Sequence, residues 1–406
     1  MTTRMGVSMM NRLLPLALGI LAVLPARAET LAEALEQAWS RHPQAAAMAA
    51  REAEAKARAE VAAGITPGPG AMSVSSLSDG MNANRGRREW EVELAVPLWL
   101  PGQKAAREAE AESATAELGA RRAALRLQLA GEVRAAWWAV AAARNVRDLA
   151  ARRVATARAL ESDVLRRFEA GDLARVDANL AMNERLTAEA EGVETEAALR
   201  QAEQAYRGLT GGTAPVLLAA EDVVAAREAG EDHAQLAALA AAARLARARL
   251  KLAEETRREA PELALRLARE RADFAEPYGN SVGVKVTVPF SSGARVRQES
   301  SAARAEAQLA ESELDLARLR LKLEVDKARL DMEAAERQLA MARERRELTA
   351  DNLGLAEKSF ALGESDLTGL LRIRASAYEA ESQLNRQQVA RAAALSRYKQ
   401  SLGVLP

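Results

Sequence analysis

Five landmarks in this sequence recur at one fixed distance, and that recurrence limits what the chain can fold into. Val96-Pro97-Leu98 returns as Val288-Pro289-Phe290, Phe168 and Gly171 return as Phe360 and Gly363, and Tyr206 and Gly211 return as Tyr398 and Gly403. Each pair is 192 residues apart (289 − 97, for instance). A constant offset held over many landmarks is the mark of a duplicated structural unit. Both copies read alike: a short alternating strand, a Pro/Gly corner, a very long helix, a glycine turn and a helix back.

The strand-like stretches alternate with period two. Trp90, Val92, Leu94, Val96 and Leu98 share one face, opposite Glu89, Glu91, Glu93, Ala95 and Pro97. Met72, Val74 and Leu77 form a weaker partner ahead of a polar, glycine-bearing loop. In the second copy Leu263, Leu265 and Leu267 alternate with Glu262, Ala264, Arg266 and Ala268. Val282, Val284, Val286, Val288 and Phe290 then alternate with Gly283, Lys285, Thr287 and Pro289. Period-2 segments of about ten residues are long enough to cross a bilayer as tilted strands. The same pattern also fits a half-buried sheet in a soluble domain. If the strands lie in lipid, four of them cannot close a barrel, and an open edge cannot sit in hydrocarbon. Several copies of the chain must then share one barrel.

The helices are the other constraint. Residues 102–167 hold no Pro and only Gly102, Gly119 and Gly131. At about 1.5 Å per residue such a helix reaches roughly 100 Å. Its counterpart, residues 295–360, carries Leu309, Leu316, Leu323 and Leu330 at intervals of seven, the spacing of helices that wrap on neighbours. Composition agrees: aromatics are 3% and charged residues 28%, a profile of long helices and not of an ordinary globule. Each long helix ends at a tip, Arg167-Phe168-Glu169-Ala170-Gly171 and Ser359-Phe360-Ala361-Leu362-Gly363, where glycine permits the left-handed reversal. Trp137-Trp138, in mid-helix, reads as packing between helices. Thr30 is expected to cap a first amphipathic helix, and residues 64–70, rich in Gly and Pro, to end the helical stretch after it.

The N-terminus reads as an export signal: Arg4 and Arg12, then the apolar residues 13–24, then Ala26-Arg27-Ala28 as a small-x-small cleavage site. The expected division is a signal peptide over 1–28, a first repeat over 29–211, an irregular belt over 212–232 and a second repeat over 233–406. Cysteine is absent, which removes disulfides, thiolate metal sites and a lipidated N-terminal Cys. Lys+Arg and Asp+Glu balance at 57 each, with no basic block, so nucleic acid is not a partner.

Taken together, the signal peptide, the doubled strand–strand–hairpin unit, the Pro/Gly corners and the aromatic-x-x-Gly tips resemble the TolC family of outer-membrane efflux factors. The resemblance covers residues 30–403. It implies a mostly α fold with a small β part: a homotrimer whose long coiled-coil hairpins form an α-helical barrel, continued by a shared 12-stranded β-barrel with four strands from each chain. It implies an exit duct that takes substrates from an inner-membrane RND-type pump through a periplasmic adaptor (membrane fusion) protein, with the barrel in outer-membrane lipid. Phe168, Gly171, Phe360 and Gly363 match the tips where adaptors dock in that family, and Pro97, Gly102, Pro289 and Gly293 match its strand corners. Family gate carboxylates stand six and nine residues after the tip glycine. Asp177 fits the first copy, whereas Gly369 and Arg372 hold those places in the second. Glu364 and Asp366 are the candidates to replace them, and Ser365 stands where the family has a basic group. The Trp99-Leu100-Pro101-Gly102 corner points to the cation-efflux branch, with multidrug export and type I protein secretion as the other substrate classes.

No catalytic, metal or cofactor constellation is visible. The two histidines, His42 and His233, lie in unrelated segments, and no nucleophile elbow, phosphate loop or paired-ligand spacing occurs. The main rival to a duct is a pore-less periplasmic coiled-coil tether, which explains the heptads but not four strands of membrane-crossing length.

Overall fold

The computed structural model describes residues 30–215, 218–222, 230, 232–290 and 293–406. The expected signal peptide lies outside the described residues, as does much of the expected belt. Two helices lead in, α1 (Leu31–Arg41) and α2 (Pro43–Ala62), followed by strands β1 (Ala71–Ser78) and β2 (Arg88–Pro97). The first long hairpin is α3 (Gln103–Glu169) with α4 (Arg175–Thr210). The second half runs α5 (Ala234–Glu255), β3 (Glu262–Arg271), β4 (Gly279–Thr287), α6 (Gly293–Ala361) and α7 (Leu367–Ser401). The repeat is plain: α3 and α6 span 67 and 69 residues, and α4 and α7 span 36 and 35. At the same offset α5 answers to α2, and the positions that answer to α1 lie largely outside the described residues.

Thr30 caps α1 as expected. Its hydroxyl accepts from the Glu33 N–H at 3.2 Å, while the Glu33 carboxylate takes the Thr30 N–H at 2.9 Å. The strands form one antiparallel sheet in the order β1-β2-β3-β4, so the two repeats meet where β2 pairs with β3. Register sets Leu94 beside Met72 and Leu265, with Val284 next in the row. β1 and β4 are the two edges.

Helix packing gives a single layer. In the half that ends at the tips, α3 packs on α4 and α7, and α7 packs on α6. In the other half α3 packs on α2 and α5, and α5 on α6. Thus α6 borders the layer along its whole length. It carries two heptad rows: Ala307, Leu314 and Leu321 are buried, the two leucines against Leu236 of α5. Leu309, Leu316, Leu323 and Leu330, two positions on and therefore about 200° around the helix, stay 45–61% exposed. Met341, Leu348, Leu355 and Leu362 continue that outward row at sevens after one four-residue stutter. The core lies at the other joints. Trp137, fully buried, packs 6.2 Å from the Tyr206 ring, and Val133, Val140, Leu199 and Val389 surround them.

Candidate functional site

Both tips are built by one local device. The N–H of Gly171 bonds to the Phe168 carbonyl and that of Asp172 to Arg167. Gly363 and Glu364 repeat this with Phe360 and Ser359, at 3.1 and 2.9 Å. The long return bond, from the sixth residue to the first, needs a left-handed residue before it, and Gly171 and Gly363 supply φ of +87° and +76°. The side chains are less alike. Phe168 is 38% exposed, whereas Phe360 is 5% exposed and sits among Leu160, Val164, Ala181, Leu367 and Leu370, from both hairpins. Arg167 holds its guanidinium 5.1 Å from the Phe360 ring centre and donates to the Phe360 carbonyl. The second tip presents Leu362 instead, 74% exposed.

The candidate gate carboxylates have local work. Asp177 accepts the Ala174 N–H at 3.1 Å, and Asp366, the N-cap of α7, accepts the Gly369 N–H at 2.9 Å. Each satisfies a free amide at a helix start. A side chain at Gly369 would meet the Asp366 carboxylate at 2.8 Å, which gives this glycine a reason to stand at a family carboxylate position. Glu364 and Arg372 are exposed. Arg372 lines a groove of about 670 Å³ between α6 and α7 with Leu355, Ser365 and Ile373.

At the strand corner, Pro97 ends β2 and Gly102 turns the chain into α3 with φ +79°. Gln103 ties the corner to the end of α5: its side chain accepts the Leu100 N–H and donates to the Thr256 hydroxyl at 3.3 Å. In the second copy Gly293 is the first residue of α6, and Pro289 lies just past β4.

The sheet has two faces of opposite character. Trp90, Val92, Leu94, Leu265, Leu267, Val282, Val284 and Val286 stand 40–72% exposed on one. The other carries Glu89, Glu91, Glu93, Arg266 and Lys285, with Arg266 at 2.5 Å from Glu91 and Lys285 at 3.3 Å from Glu93. A half-buried soluble sheet would have a core against its aliphatic face, and none of the described elements other than the strands themselves packs there.

Two polar clusters escaped the sequence, because Arg and Glu recur on every helix and no local spacing marks a pair made across hairpins. Arg134, 3% exposed, grips the Glu221 carboxylate through two nitrogens at 2.7 and 3.0 Å. Lys399 approaches it at 3.3 Å, and Ser396 donates to it while accepting from the Trp138 indole. Burial works against the Glu221 charge, but these donors outweigh it and hold the carboxyl below its ordinary value. Farther down, Arg153 pairs with Glu184 and Glu191 and lies 4.7 Å from the Tyr378 ring centre, while the Tyr378 hydroxyl donates to Glu191. Burial and the Glu191 carboxylate push Tyr378 up to about 12. Among the described residues there is no group of His, Asp and Glu able to hold a metal. No helix among them is long and apolar enough to cross a membrane.

Residues 225–404 match the family model described as outer membrane efflux protein. No curated protein shows significant sequence similarity to the chain. Among solved structures, the outer membrane protein VceC of Vibrio cholerae is 16% identical, with 92% of this chain and 96% of that one aligned at a TM-score of 0.74. The CmeC outer membrane channel of Campylobacter jejuni is 13% identical over 92% and 85%, also at 0.74. The MtrE outer membrane channel of Neisseria gonorrhoeae, in its open state, is 17% identical over 93% and 89%, again at 0.74. Residues 225–404 are thus similar to the outer membrane efflux protein family, and the fold of solved outer-membrane channels extends over nine-tenths of the chain.

Proposed function

We propose that this chain is the outer-membrane exit duct of a tripartite efflux system. Three copies share a 12-stranded barrel in outer-membrane lipid, and their helices form a tunnel that occupies the periplasm. The duct catalyses nothing. It passes metal cations or small toxic compounds outward after an adaptor, fed by an RND-type pump, docks on the tips. Two repeats, 29–211 and 233–406, joined by the belt at 212–232, supply two strands and one hairpin each. Phe168 and Leu362 offer the docking surface, with Gly171 and Gly363 shaping it and Phe360 bracing it from within. Asp177, Glu364, Asp366 and Arg372 ring the tip-end entrance.

The observation that carries this reading is a set of surfaces one chain cannot satisfy. β1 and β4 leave open edges, the aliphatic sheet face meets solvent, and the α6 leucine row has no partner among the described residues. A second copy covers the edges and the row by placing β1 and the exposed Val176, Leu186 and Val193 of α4 against β4 and the α6 row, and lipid covers the sheet face. Burying each large side chain contributes roughly 1.5–3 kcal/mol. A pore-less tether has no use for the aliphatic sheet face. The test is extraction and mass: the chain should leave the membrane only with detergent, migrate as a trimer and conduct in planar bilayers. A detergent-free soluble monomer sinks the duct.

A further inference from the structure

We infer that the outward end of the sheet carries a binding surface for phosphate-bearing lipid headgroups, made by Arg88, Arg269 and Arg271. The inference rests on the duct proposed above, in which the helices leave the sheet on the periplasmic side and the β1–β2 and β3–β4 loops point outward. Pairing sets Val96 beside Leu263, Leu94 beside Leu265 and Val92 beside Leu267 on the aliphatic face. The next two rows of that face break the pattern: Trp90 stands beside Arg269, and Arg88 beside Arg271. From Val96 to Arg88 is eight residues, roughly 27 Å of strand and about 20 Å of depth once tilted. The arginine rows therefore lie where hydrocarbon gives way to headgroups.

Two arginines directly opposed on one face repel each other, and the chain does not neutralise them. On the polar face Arg266 and Lys285 find Glu91 and Glu93. Among the described residues no carboxylate forms an ion pair with Arg88, Arg269 or Arg271. The nearby loop acids turn to backbone amides instead: Asp79 accepts from Arg85 and Gly86, Asp273 from Ala275 and Glu276, and Glu276 from Ala272. The arginines are nonetheless held in place. The Tyr278 ring centre lies 4.8 Å from the guanidinium carbons of both Arg269 and Arg271, and Arg271 Nε donates to the Gly86 carbonyl at 2.9 Å. Guanidinium groups match phosphate oxygens two at a time, so the anion these rows lack is best supplied as phosphate. A headgroup phosphate carried on acyl chains meets the arginines and the Leu and Val rows beside them together, which an ion free in water does not.

The test uses the full trimer in mild detergent with bisphosphorylated lipid A as the probe, read by native mass spectrometry beside monophosphorylated lipid A and inorganic phosphate. The wild type should hold the bisphosphorylated form most tightly, and inorganic phosphate should not displace it. Replacing all three arginines (Arg88→Gln, Arg269→Gln and Arg271→Gln) should weaken binding by about tenfold or more. Lys285→Gln, which removes a cation from the polar face, should leave binding unchanged. Equal losses in the two variants overturn the inference, as does unaltered binding in the triple variant. Displacement by inorganic phosphate also overturns it, since that marks a site for free anions. If the triple variant does not assemble, Arg269→Gln alone decides: a severalfold loss supports the surface and no loss overturns it. A wild-type chain that is a detergent-free monomer overturns the duct itself, whereas a conducting trimer indifferent to lipid phosphate overturns only this surface.

Discussion

The Trp138 indole, on the first hairpin, donates to the hydroxyl of Ser396, on the second, at 2.8 Å, and Ser396 passes the chain of donors on to Glu221. This relay brings three distant parts of the sequence to one buried point. Among the described residues, Glu221 is the carboxylate paired with both Arg134 and Lys399. Removing one member of a buried pair typically costs about 3–5 kcal/mol, because the stranded charge has no water to return to. Glu221→Ala should lower thermal stability by that order, as a melting curve in detergent will read.

The same carboxylate carries an acid dependence. Its folded value is depressed, so its contribution is complete above the ordinary carboxylate range and is lost as pH falls through the depressed value. A melting series from neutral to acid pH should show this loss in the wild type and a flatter profile in Glu221→Gln.

Tyr378 should titrate late. With its value raised from 10 to about 12, its stabilising contribution holds below pH 10 and is lost between there and 12. The chain has four tyrosines. A phenolate absorbance titration of wild type minus Tyr378→Phe should isolate one transition near the upper value. A difference curve centred at the ordinary value would show that the Glu191 contact does not persist in solution.

The two tip phenylalanines should separate stability from docking. Phe360→Ala empties a filled joint and should cost about 3–5 kcal/mol. Phe168→Ala, at a half-exposed ring, should leave melting nearly unchanged and weaken adaptor binding, measured with the purified adaptor of the same system. Gly171→Ala or Gly363→Ala should each cost about 1–2 kcal/mol through the left-handed turn.

The polar sheet face predicts ion preference. Glu89, Glu91 and Glu93 face only Arg266 and Lys285 among the paired cations on that side. Reversal potentials in a salt gradient should show cation preference, reduced in Glu91→Gln with Glu93→Gln. On the substrate side, a deletion strain should be tested against metal ions, dyes, detergents and antibiotics. Sensitivity limited to metals assigns a cation-exporting pump, and drug sensitivity removes that assignment.

Much of the fold was legible because its signals are periodic or punctuating. The 192-residue offset, the alternation around Val92 and Val284 and the sevens from Leu309 to Leu330 all survive into the structure as matched hairpins, paired strands and an outward row. The second heptad row, through Leu314 and Leu321, was hidden by the first, since a helix with two apolar faces shows no clear moment. The candidate site was legible only as positions. Whether Phe360 points outward or inward depends on Leu160, Val164 and Ala181, which lie far away in sequence, and the caps made by Asp177 and Asp366 look the same in sequence as free acids. Arg134 was unreadable for the same reason: its two anchors, Glu221 and Gln400, are 87 and 266 residues away.

The open edges at β1 and β4 bear on how the duct comes to be made. Each edge offers a row of amides and carbonyls that hydrocarbon cannot accept. A lone protomer of the proposed duct therefore has no favourable depth at which to stop in the bilayer, and insertion and ring closure become one event. Its rate should climb steeply with the local number of protomers.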